Sequence, residues 1–322
     1  MKKLRTILLF AFAIFSTTAF STTWNEPWQD KVIKEADYFV LAKIKSYDSR
    51  DGATIEVVKS LGGQELKGEI KITDFYLLEI CSSSAGHGAE FNFEGITECY
   101  VFIKKNDKGQ YCIATPTTGF NAMENGNVYA TYRHSYHQAL VPADTYEKTM
   151  TAIFNNYHNK PYDKQFINEY VNKYLSMKPA GFGKSEMDTF FAQHVALECV
   201  YHLRLPDLYP KLIPFLNDTS NFHNQVSGAR ALISCNTTDC KQALLRVISN
   251  TTRNHFVQVV CVWTLSEFKP NELKDQLIKI SETASTEDNG FGGDIMDPRV
   301  CTFFPNVKNA ITTLTDKLKI IS

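Results

Sequence analysis

Cysteine is the residue type in this chain with the widest chemistry, because thiols oxidise, bind metal ions and attack electrophiles. The chain carries eight of them. Cys235 and Cys240 are separated by four residues, a spacing that can close a turn between two helices, and we expect a local disulfide there. Zinc would need further Cys or His ligands at short spacing, and the sequence near this pair contains none.

The cysteines of the first half give a weaker indication. Cys81, Cys99 and Cys112 lie there, and one disulfide among them would suit an oxidising compartment. Because their number is odd, the pairing stays open.

Two loops contain polar side chains that could contact a partner. The first, Cys81–Gly88, contains Ser82, Ser83 and His87. Serine and histidine that are close in sequence do not indicate a catalytic pair, because such groups are assembled by the fold and no orienting carboxylate can be identified. We therefore expect an exposed interaction loop.

The second loop, Glu287–Pro298, is acidic and contains Asp288, Asp294 and Asp297. Calcium prefers oxygen ligands of this kind, but the spacing differs from that of an EF-hand. A solvated acidic loop is the alternative. Calcium binding is therefore left open, and the three aspartates are candidate interaction residues.

The histidines do not form a recognisable ligand set. The pair His134 and His137 lacks the third ligand that a metal site would need. The other histidines of interest share no ligand spacing: His194, His202, His223 and His255. A nucleophile elbow, a phosphate loop and an acid–base pair are also absent from the sequence. We therefore expect a protein without catalytic residues, cofactor or metal, and not an enzyme.

The first 21 residues have the three-part layout of a secretory signal peptide. Basic residues between Lys2 and Arg5 precede an apolar run over 7–15, and Ala19 and Ser21 place small side chains at a cleavage site. This run is too short to span a bilayer, which takes about 20 residues. We expect cleavage near Ser21, export to the periplasm or the extracellular space, and no transmembrane segment in the mature chain.

Charge and composition narrow the classes of partner. The whole chain has 34 basic and 35 acidic side chains, and removal of the signal peptide leaves 31 against 35. A mildly acidic protein lacks the cationic surplus that binding to phosphate backbones requires, so we expect no nucleic-acid partner. A hydrophobic fraction of 43% and a charged fraction of 21% are typical of a globular chain.

The first half predicts a small closed β-sheet. A short helix is predicted over Trp28–Ala36, and segments rich in β-branched and aromatic residues predict five strands: Tyr38–Ile44, Thr54–Lys59, Glu69–Thr73, Glu98–Ile103 and Gln110–Ala114. Gly62 and Gly63 predict a turn after the second strand, and residues 106–109 predict a hairpin turn. Short strands with turns between them favour an antiparallel barrel or sandwich over a βαβ fold.

Several stretches of this half also carry a likeness to a known family: Glu35–Ile44, Ile55–Gly63, Phe93–Gly95 and Tyr100–Ile103. They resemble the OB-fold-like domain of netrin-type modules and tissue inhibitors of metalloproteinases, in the form found in exported bacterial proteins. The resemblance covers about residues 24–143. In those inhibitors a free N-terminal cysteine chelates the zinc of the target protease. The predicted mature chain begins at Thr22 without a cysteine, so the resemblance implies the fold and not the zinc-binding wedge.

The second half contains a repeat of about 31 residues. Three apolar segments start 31 residues apart: Val195–Leu203, Val226–Ser234 and Val257–Leu265. Each is followed by a second apolar segment, beginning at Leu212, Leu244 and Leu277. A period of this size is typical of an α-solenoid, in which stacked helix pairs bury faces that no pair can bury alone. The third segment resembles a helix of a HEAT repeat, and the resemblance covers about 190–281.

The repeat assigns roles to single residues. Cys199 and Cys261 share one position, which Arg230 occupies in the middle copy. We expect both thiols in the core, too far apart to bond. Trp263 shares a second position with Tyr201 and Leu232, and we therefore expect Trp263 to pack.

Helical segments flank the repeat. Residues 143–179 predict two helices broken at Lys160-Pro161, and Val307–Ile320 predicts a closing helix. We therefore expect a multidomain protein that combines an N-terminal all-β OB-fold-like barrel with a C-terminal all-α HEAT-like solenoid. The expected parts are a signal peptide (1–21), the β-domain (22–143), a helical linker and cap (144–185), and the solenoid (186–322) with an inserted loop (282–305).

Function is predicted from these parts rather than from a recognised site. Solenoids offer a long concave surface for proteins or peptides, so the leading hypothesis is an exported, non-catalytic binding or scaffold protein. A steric inhibitor or regulator of a secreted protease, acting through the β-domain, is the first alternative. The second is an enzyme whose site lies between the two halves and is not recognisable in the sequence.

Overall fold

The computed structural model describes residues 27–48, 51–73, 93, 95–115, 119–134, 137–287 and 304–321. The predicted signal peptide lies outside these residues, as do Cys81 and the candidate interaction residues Ser82, Ser83, His87, Asp288, Asp294 and Asp297. In the described part, a β-barrel is followed by a helical region. No helix of that part combines the length and the apolarity needed to cross a bilayer.

Eight strands form one sheet in the described residues. They are β1 (Tyr38–Asp48), β2 (Gly52–Gly63), β3 (Gly68–Thr73), β4 (Glu98–Lys105), β5 (Tyr111–Ile113), β6 (Phe120–Glu124), β7 (Asn127–Thr131) and β8 (Gln138–Pro142). Five of them, in the order β1-β2-β3-β5-β4, close into a barrel because β4 also pairs with β1. The predicted closed sheet is confirmed, and β6, β7 and β8 extend it beyond β4.

One pair of barrel strands is parallel, which departs from the antiparallel sheet that the sequence predicts. β3 pairs with β5 in parallel, with Ile72 opposite Tyr111, whereas the other barrel pairs are antiparallel. Five strands in a closed ring cannot alternate in direction all the way round, so one parallel pair follows from the odd strand number. The hairpin predicted between β4 and β5 is confirmed, since the Asn106 amide donates to the Gln110 carbonyl at 2.9 Å.

Strands β1 and β4 are buried on both faces, because one face fills the barrel and the other meets the helices. Val40 and Val101 lie in the cluster inside the barrel. Phe39 and Phe102 belong to the larger cluster that continues through the helices. Phe39 stacks on Phe102 with 4.7 Å between ring centroids, and on Phe154 of the helical region at 5.9 Å. The alternation of side chains along a strand produces this division.

The described residues contain ten α-helices. They are α1 (Gln29–Glu35), α2 (Ala143–Tyr157), α3 (Lys164–Leu175), α4 (Met187–Leu203), α5 (Tyr209–Leu216), α6 (Phe222–Ala231), α7 (Thr238–Ser249), α8 (His255–Glu267), α9 (Lys274–Thr283) and α10 (Val307–Ile321). Short 3-10 turns follow α6 (Leu232–Ser234) and precede α9 (Asn271–Leu273). The predicted helices at Trp28–Ala36, on either side of Lys160-Pro161, and at the C-terminal end are confirmed.

The helices after α2 pack as successive pairs. α4, α6, α8 and α10 are consecutive neighbours in one row, and α3, α5, α7 and α9 each pack against the helix that follows them. The predicted repeat segments lie on α4, α6 and α8, where Val195, Val226 and Val257 are fully buried. Asn221 and Asn254 begin α6 and α8 in the same way, since each side chain accepts two N–H groups of the first turn. The middle copy departs from the prediction because its last three residues form a 3-10 turn.

The turn predicted at Gly62 and Gly63 is wrong. Both residues belong to β2, opposite Phe39 and Tyr38 of β1. Gly62 is required by a close approach, since a Cβ there would lie 2.5 Å from Cδ1 of Phe154. Gly63 has a φ of +88°, a conformation that glycine adopts readily. Both glycines therefore serve the contact between β2 and its neighbours rather than a chain reversal.

We predict that Gly62→Ala lowers the free energy of unfolding by about 1–3 kcal/mol, the usual cost of overpacking. The Phe154 ring has little room to move away, because it also stacks on His158 at 4.2 Å. Urea unfolding followed by circular dichroism measures the loss. Gly181→Ala is the control, since its Cβ would meet Glu186 Oε2 at an ordinary 3.4 Å. Equal losses in the two variants would contradict the packing explanation.

Candidate functional site

A cleft of about 300 Å³ lies where α4, the turn after α6 and α8 meet the start of α1. Tyr201, Ile233 and Trp263 line it, one from each copy of the repeat. Trp28, the residue before α1, lines the same cleft, with its ring centroid 6.3 Å from that of Trp263. Residues from successive repeats thus share one concave surface with the N-terminal helix.

The packing role predicted for Trp263 is confirmed, because its ring stacks on Phe304 with 5.3 Å between centroids. Leu232, at the corresponding position, is fully buried. Tyr201 and Trp263 are only half-buried, however, and both line the cleft. The shared repeat position therefore corresponds to residues that line the cleft, although the sequence predicted only packing there.

Two arginines accompany these rings. The Arg230 guanidinium lies 4.7 Å from the ring centroid of Trp28 and 3.8 Å from that of Tyr201. Cation–π contacts of this kind stabilise a cation that has lost water. Arg204, just after α4, is exposed and stands 4.9 Å from the Tyr201 centroid. Among the described residues, no carboxylate lies within ion-pair distance of Arg204.

The remaining charges at the cleft are Lys34, Asp30 and Glu267. Lys34 Nζ donates to Asp30 Oδ2 at 2.9 Å. Burial alone would raise the pKa of Asp30, but the hydrogen bond and charge of Lys34 outweigh burial and lower that pKa. Glu267 is exposed at the end of α8. The cleft therefore presents a cation at the end of α4 and a carboxylate at the end of α8.

Arg230 links the cleft to a buried cluster centred on Glu198. The Glu198 carboxylate is fully buried, 3.4 Å from Arg230 and 4.0 Å from Arg133. It also accepts a hydrogen bond from Ser227 Oγ at 2.8 Å. Since Arg133 comes from the connection between β7 and β8, this carboxylate joins the sheet to α4 and α6.

Ser227, His194 and Glu198 form a structural network rather than a nucleophilic one. The serine hydroxyl donates to Glu198 and accepts from Arg133 Nη1 at 2.8 Å. His194 Nδ1 lies 3.2 Å from Ser227 Oγ and donates to it, because the hydroxyl proton is already directed at Glu198. Ser227 is 1% exposed. A nucleophile must lose its proton to a base and reach a substrate, and this serine does neither.

The fold brings together histidines that are scattered in the sequence. The ring of His137 lies 4.2 Å from the ring of His194 and 4.2 Å from that of His223. Burial, assisted by Arg133, lowers the pKa of His223 to about 3. Burial likewise lowers the pKa values of His137 and His194 well below their usual range. In the described part of the chain, His, Cys, Asp and Glu side chains form no group of three or more that could hold a metal ion.

No linear spacing could have signalled this cluster. His137 comes from the connection between β7 and β8, His194 from α4 and His223 from α6. The connection between β7 and β8 also contains His134, which forms a pair with His137 in the sequence. Both are buried, at 2% and 7% exposure, because the segment enters the helical layer.

His202 completes this junction as a neutral imidazole. Its Nε2 donates to the Tyr132 carbonyl at 2.7 Å, and its Nδ1 accepts from the Tyr157 hydroxyl at 2.9 Å. Both ring nitrogens are thus satisfied without a second proton. Burial lowers the pKa of His202 to about 4, although the charge of Glu198 acts in the opposite direction.

Cys235 and Cys240 lie together, as two free thiols that share a hydrogen bond. The disulfide between them stays a prediction. The other described cysteines are buried as well: Cys99, Cys112, Cys199 and Cys261. The core role predicted for Cys199 and Cys261 is confirmed, since both are fully buried.

Comparison of the chain with protein-family models, with curated proteins and with solved structures found no match. The residues of this chain are therefore the basis for its function. The accessible cleft and the buried Glu198 cluster are the two features that bear on it.

We predict that Glu198→Gln lowers the free energy of unfolding by about 3–5 kcal/mol, because Arg133 and Arg230 would stay buried without their shared anion. Denaturant unfolding at neutral pH measures the loss. Asp316→Asn is the control, since it breaks an exposed pair with Lys319 at 2.8 Å and should cost less than about 1 kcal/mol. Similar small losses in both variants would contradict the role assigned to Glu198.

We predict that stability falls as the pH decreases from about 6.5 to about 5. Histidines of the unfolded chain take up protons near pH 6.5, whereas folded His202 and His223 stay neutral down to about 4 and about 3. Each contributes a loss of about 1.4 kcal/mol per pH unit in this window. His223→Gln should reduce the loss measured by urea unfolding, and His255→Gln, at a partly exposed position of α8, should not. An unchanged pH dependence in His223→Gln would refute this explanation.

Proposed function

We propose that the protein is an exported, non-catalytic binding protein that holds a segment of a partner protein or peptide in the cleft between α1 and the repeat helices. The observation that carries this proposal is the cleft lining, in which Tyr201, Ile233 and Trp263 come from successive copies of the repeat. Aromatic side chains that remain accessible in a concave surface are the usual anchors of protein interfaces.

The finer architecture belongs to the same proposal. A row formed by α4, α6, α8 and α10, with a second helix against each, is the arrangement expected of a HEAT-like α-solenoid. The strand order β1-β2-β3-β5-β4 supports an OB-fold-like barrel of the netrin type. Solenoids bind partners along one row of helices, and the cleft lies on the row that contains α4, α6 and α8.

Arg204 is the group of the cleft that favours an acidic residue in the bound segment. Arg230 already contacts Glu198, Trp28 and Tyr201, whereas Arg204 is exposed and forms no ion pair with a described carboxylate. The planar guanidinium of arginine binds carboxylates through paired hydrogen bonds. We therefore expect the bound segment to place a carboxylate at Arg204 and an apolar side chain against Trp263.

Export is part of the proposal and is supported by the layout of residues 1–21. A mature chain that begins near Thr22 would act in the periplasm or outside the cell. Its partner would then be an envelope or secreted protein.

The titratable groups that converge between the sheet and the helices are buried, and their burial supports a non-catalytic function. Arg133 and Glu198 are fully buried, and Ser227 is 1% exposed. Groups that no substrate can reach stabilise the fold instead of performing chemistry. The accessible side chains of the cleft are those of a recognition surface.

Steric regulation of a secreted protease is the second candidate, favoured by the closed five-stranded barrel. Its contact surface would be the loop that contains Ser82, Ser83 and His87. This candidate requires the barrel loops, whereas the leading proposal requires the cleft. Substitutions in the cleft therefore separate the two.

We predict that peptides selected by the mature protein from a phage-displayed random library combine an acidic residue with a nearby apolar or aromatic residue. Arg204→Glu should weaken their binding at least about tenfold, or about 1.4 kcal/mol, because it places like charges together. Fluorescence anisotropy of labelled synthetic peptides measures the affinity. Since Arg204 is exposed, its replacement leaves the core intact, which circular dichroism checks.

The matched control is Lys184→Glu, the same charge change at an exposed lysine outside the cleft. It should leave the affinity unchanged. A selection without enrichment, or peptides that bind Arg204→Glu as tightly as the wild type, would overturn the proposal.

A further inference from the structure

The thiols of Cys235 and Cys240 meet at the junction of two repeat helices. Cys235 directly follows the 3-10 turn after α6, and Cys240 lies in the first turn of α7. Thr237 begins α7, and its Oγ1 accepts the Cys240 N–H at 3.3 Å. The residues between the two cysteines therefore form a tight, hydrogen-bonded turn that holds the sulfurs side by side.

The two sulfurs have different surroundings. The Cys240 thiol and the Leu208 backbone N–H lie near Cys235 Sγ, and both lower the pKa of Cys235. Ser234 Oγ lies 3.4 Å from the same sulfur. The Cys240 hydrogen bond is the largest of the effects that lower the pKa of Cys235, whereas the same bond raises the pKa of Cys240. Proximity to Cys240 therefore favours the thiolate form of Cys235.

This environment differs from that of the other buried cysteines. Burial raises the pKa values of Cys99, Cys199 and Cys261, each of which is fully buried. Cys235 retains 6% exposure, while Cys240 has none. Reactive cysteines combine a stabilised thiolate with access to solvent, and Cys235 has a lowered pKa and retains a small exposed surface, whereas Cys240 has none.

We propose that Cys235 and Cys240 form a redox-active dithiol that exchanges with small-molecule disulfides, with Cys235 as the attacking and Cys240 as the resolving thiol. The Cys235 thiolate bonds to one sulfur of a disulfide, R–S–S–R, and the other sulfur leaves as a thiolate. Cys240 then loses its proton to solvent and attacks Cys235 Sγ, which expels the second R–S⁻. The two protein thiols are oxidised to one disulfide, and the small disulfide is reduced to two thiols that take up the released protons.

This inference goes beyond both the binding function and a purely structural bridge. A structural bridge would form once and resist reduction, whereas a pair with a stabilised thiolate forms and breaks its disulfide with the surrounding thiol pool. Neither cysteine takes part in the contacts of Arg230 and Glu198, so their chemistry can be tested without altering the cleft charges.

The positions of the tryptic cleavage sites allow the redox state of the two cysteines to be measured directly. Trypsin cleaves after Arg230 and Lys241, so both cysteines fall in one peptide, Ala231–Lys241. The reduced mature protein is equilibrated in buffers of rising glutathione disulfide to glutathione ratio, quenched with acid, unfolded and labelled with N-ethylmaleimide. Mass spectrometry then gives the fraction of this peptide that carries two labels and the fraction that has none and is about 2 Da lighter than the dithiol.

We expect the unlabelled, oxidised peptide to appear as the ratio rises and to disappear again when reduced glutathione is added. In Cys240→Ser, a glutathione adduct should accumulate on Cys235, because no resolving thiol remains. In Cys235→Ser, Cys240 should stay unmodified. Circular dichroism of each variant before oxidation shows that the fold is retained, and the wild-type readout stands without either variant.

Three results would overturn the proposal. The first is a peptide that keeps both labels across the whole buffer series. The second is a disulfide that forms but is not reversed by reduced glutathione, which would make the bond structural. The third is glutathione addition at Cys199 or Cys261 to the same extent as at Cys235, which would reflect general unfolding.

Discussion

The burial of Glu198 between two arginines is the constraint on which the rest of the structure depends. Arg133 reaches this carboxylate from the connection between β7 and β8, and Arg230 reaches it from α6. Moving three charges out of water is costly, and the cost is offset only when the ion contacts and the hydrogen bond from Ser227 are all made together. One relative arrangement of sheet and helices satisfies these contacts, so the cluster specifies how the two meet. Burial lowers the pKa values of the nearby His194 and His223, and the positive charge of Arg133 lowers them further.

The same connection positions the cleft. The Arg133 carbonyl accepts the Gln29 N–H at 2.9 Å, which fixes the start of α1. Trp28 therefore stands against His134, with 5.2 Å between ring centroids, and faces the repeat helices. Arg230 then contributes to both features, since it contacts Glu198 on one side and the Trp28 ring on the other. The cleft is thus built by α1, the β7–β8 connection and the helices α4, α6 and α8 in combination, and its shape depends on the buried ions.

The sequence predicted the helices and strands whose positions follow from local hydrophobic periodicity. Val195, Val226 and Val257 recur every 31 residues, and this spacing predicted that they lie on helices that pack together; all three are fully buried. The strands of the barrel were predicted from runs of β-branched and aromatic residues, although Gly62 marked a close approach to Phe154 and not the expected turn. The short strands β6, β7 and β8 were not predicted, because five-residue segments with polar residues carry little periodic signal.

What the sequence could not predict is the convergence of residues that lie far apart in the chain. Glu198 and Arg133 are ordinary charged residues in the sequence, and only the packing of α4 against the β7–β8 connection reveals their contact. The sequence related two of the lining residues to each other, since Tyr201 and Trp263 share a repeat position. It did not relate Trp28 to them, because Trp28 comes from a segment with no periodic relation to the repeat.

Site-specific photo-cross-linking in the native cell tests the proposed binding function most directly. A photoreactive amino acid at Ile233 lies in the cleft, and the same residue at Ile278, on the exposed side of α9, serves as the reference position. The binding function predicts one dominant cross-linked protein from position 233 that is absent from position 278 and is lost when Arg204 is changed to glutamate. The same cross-linked products from both positions, or none from position 233, would contradict it.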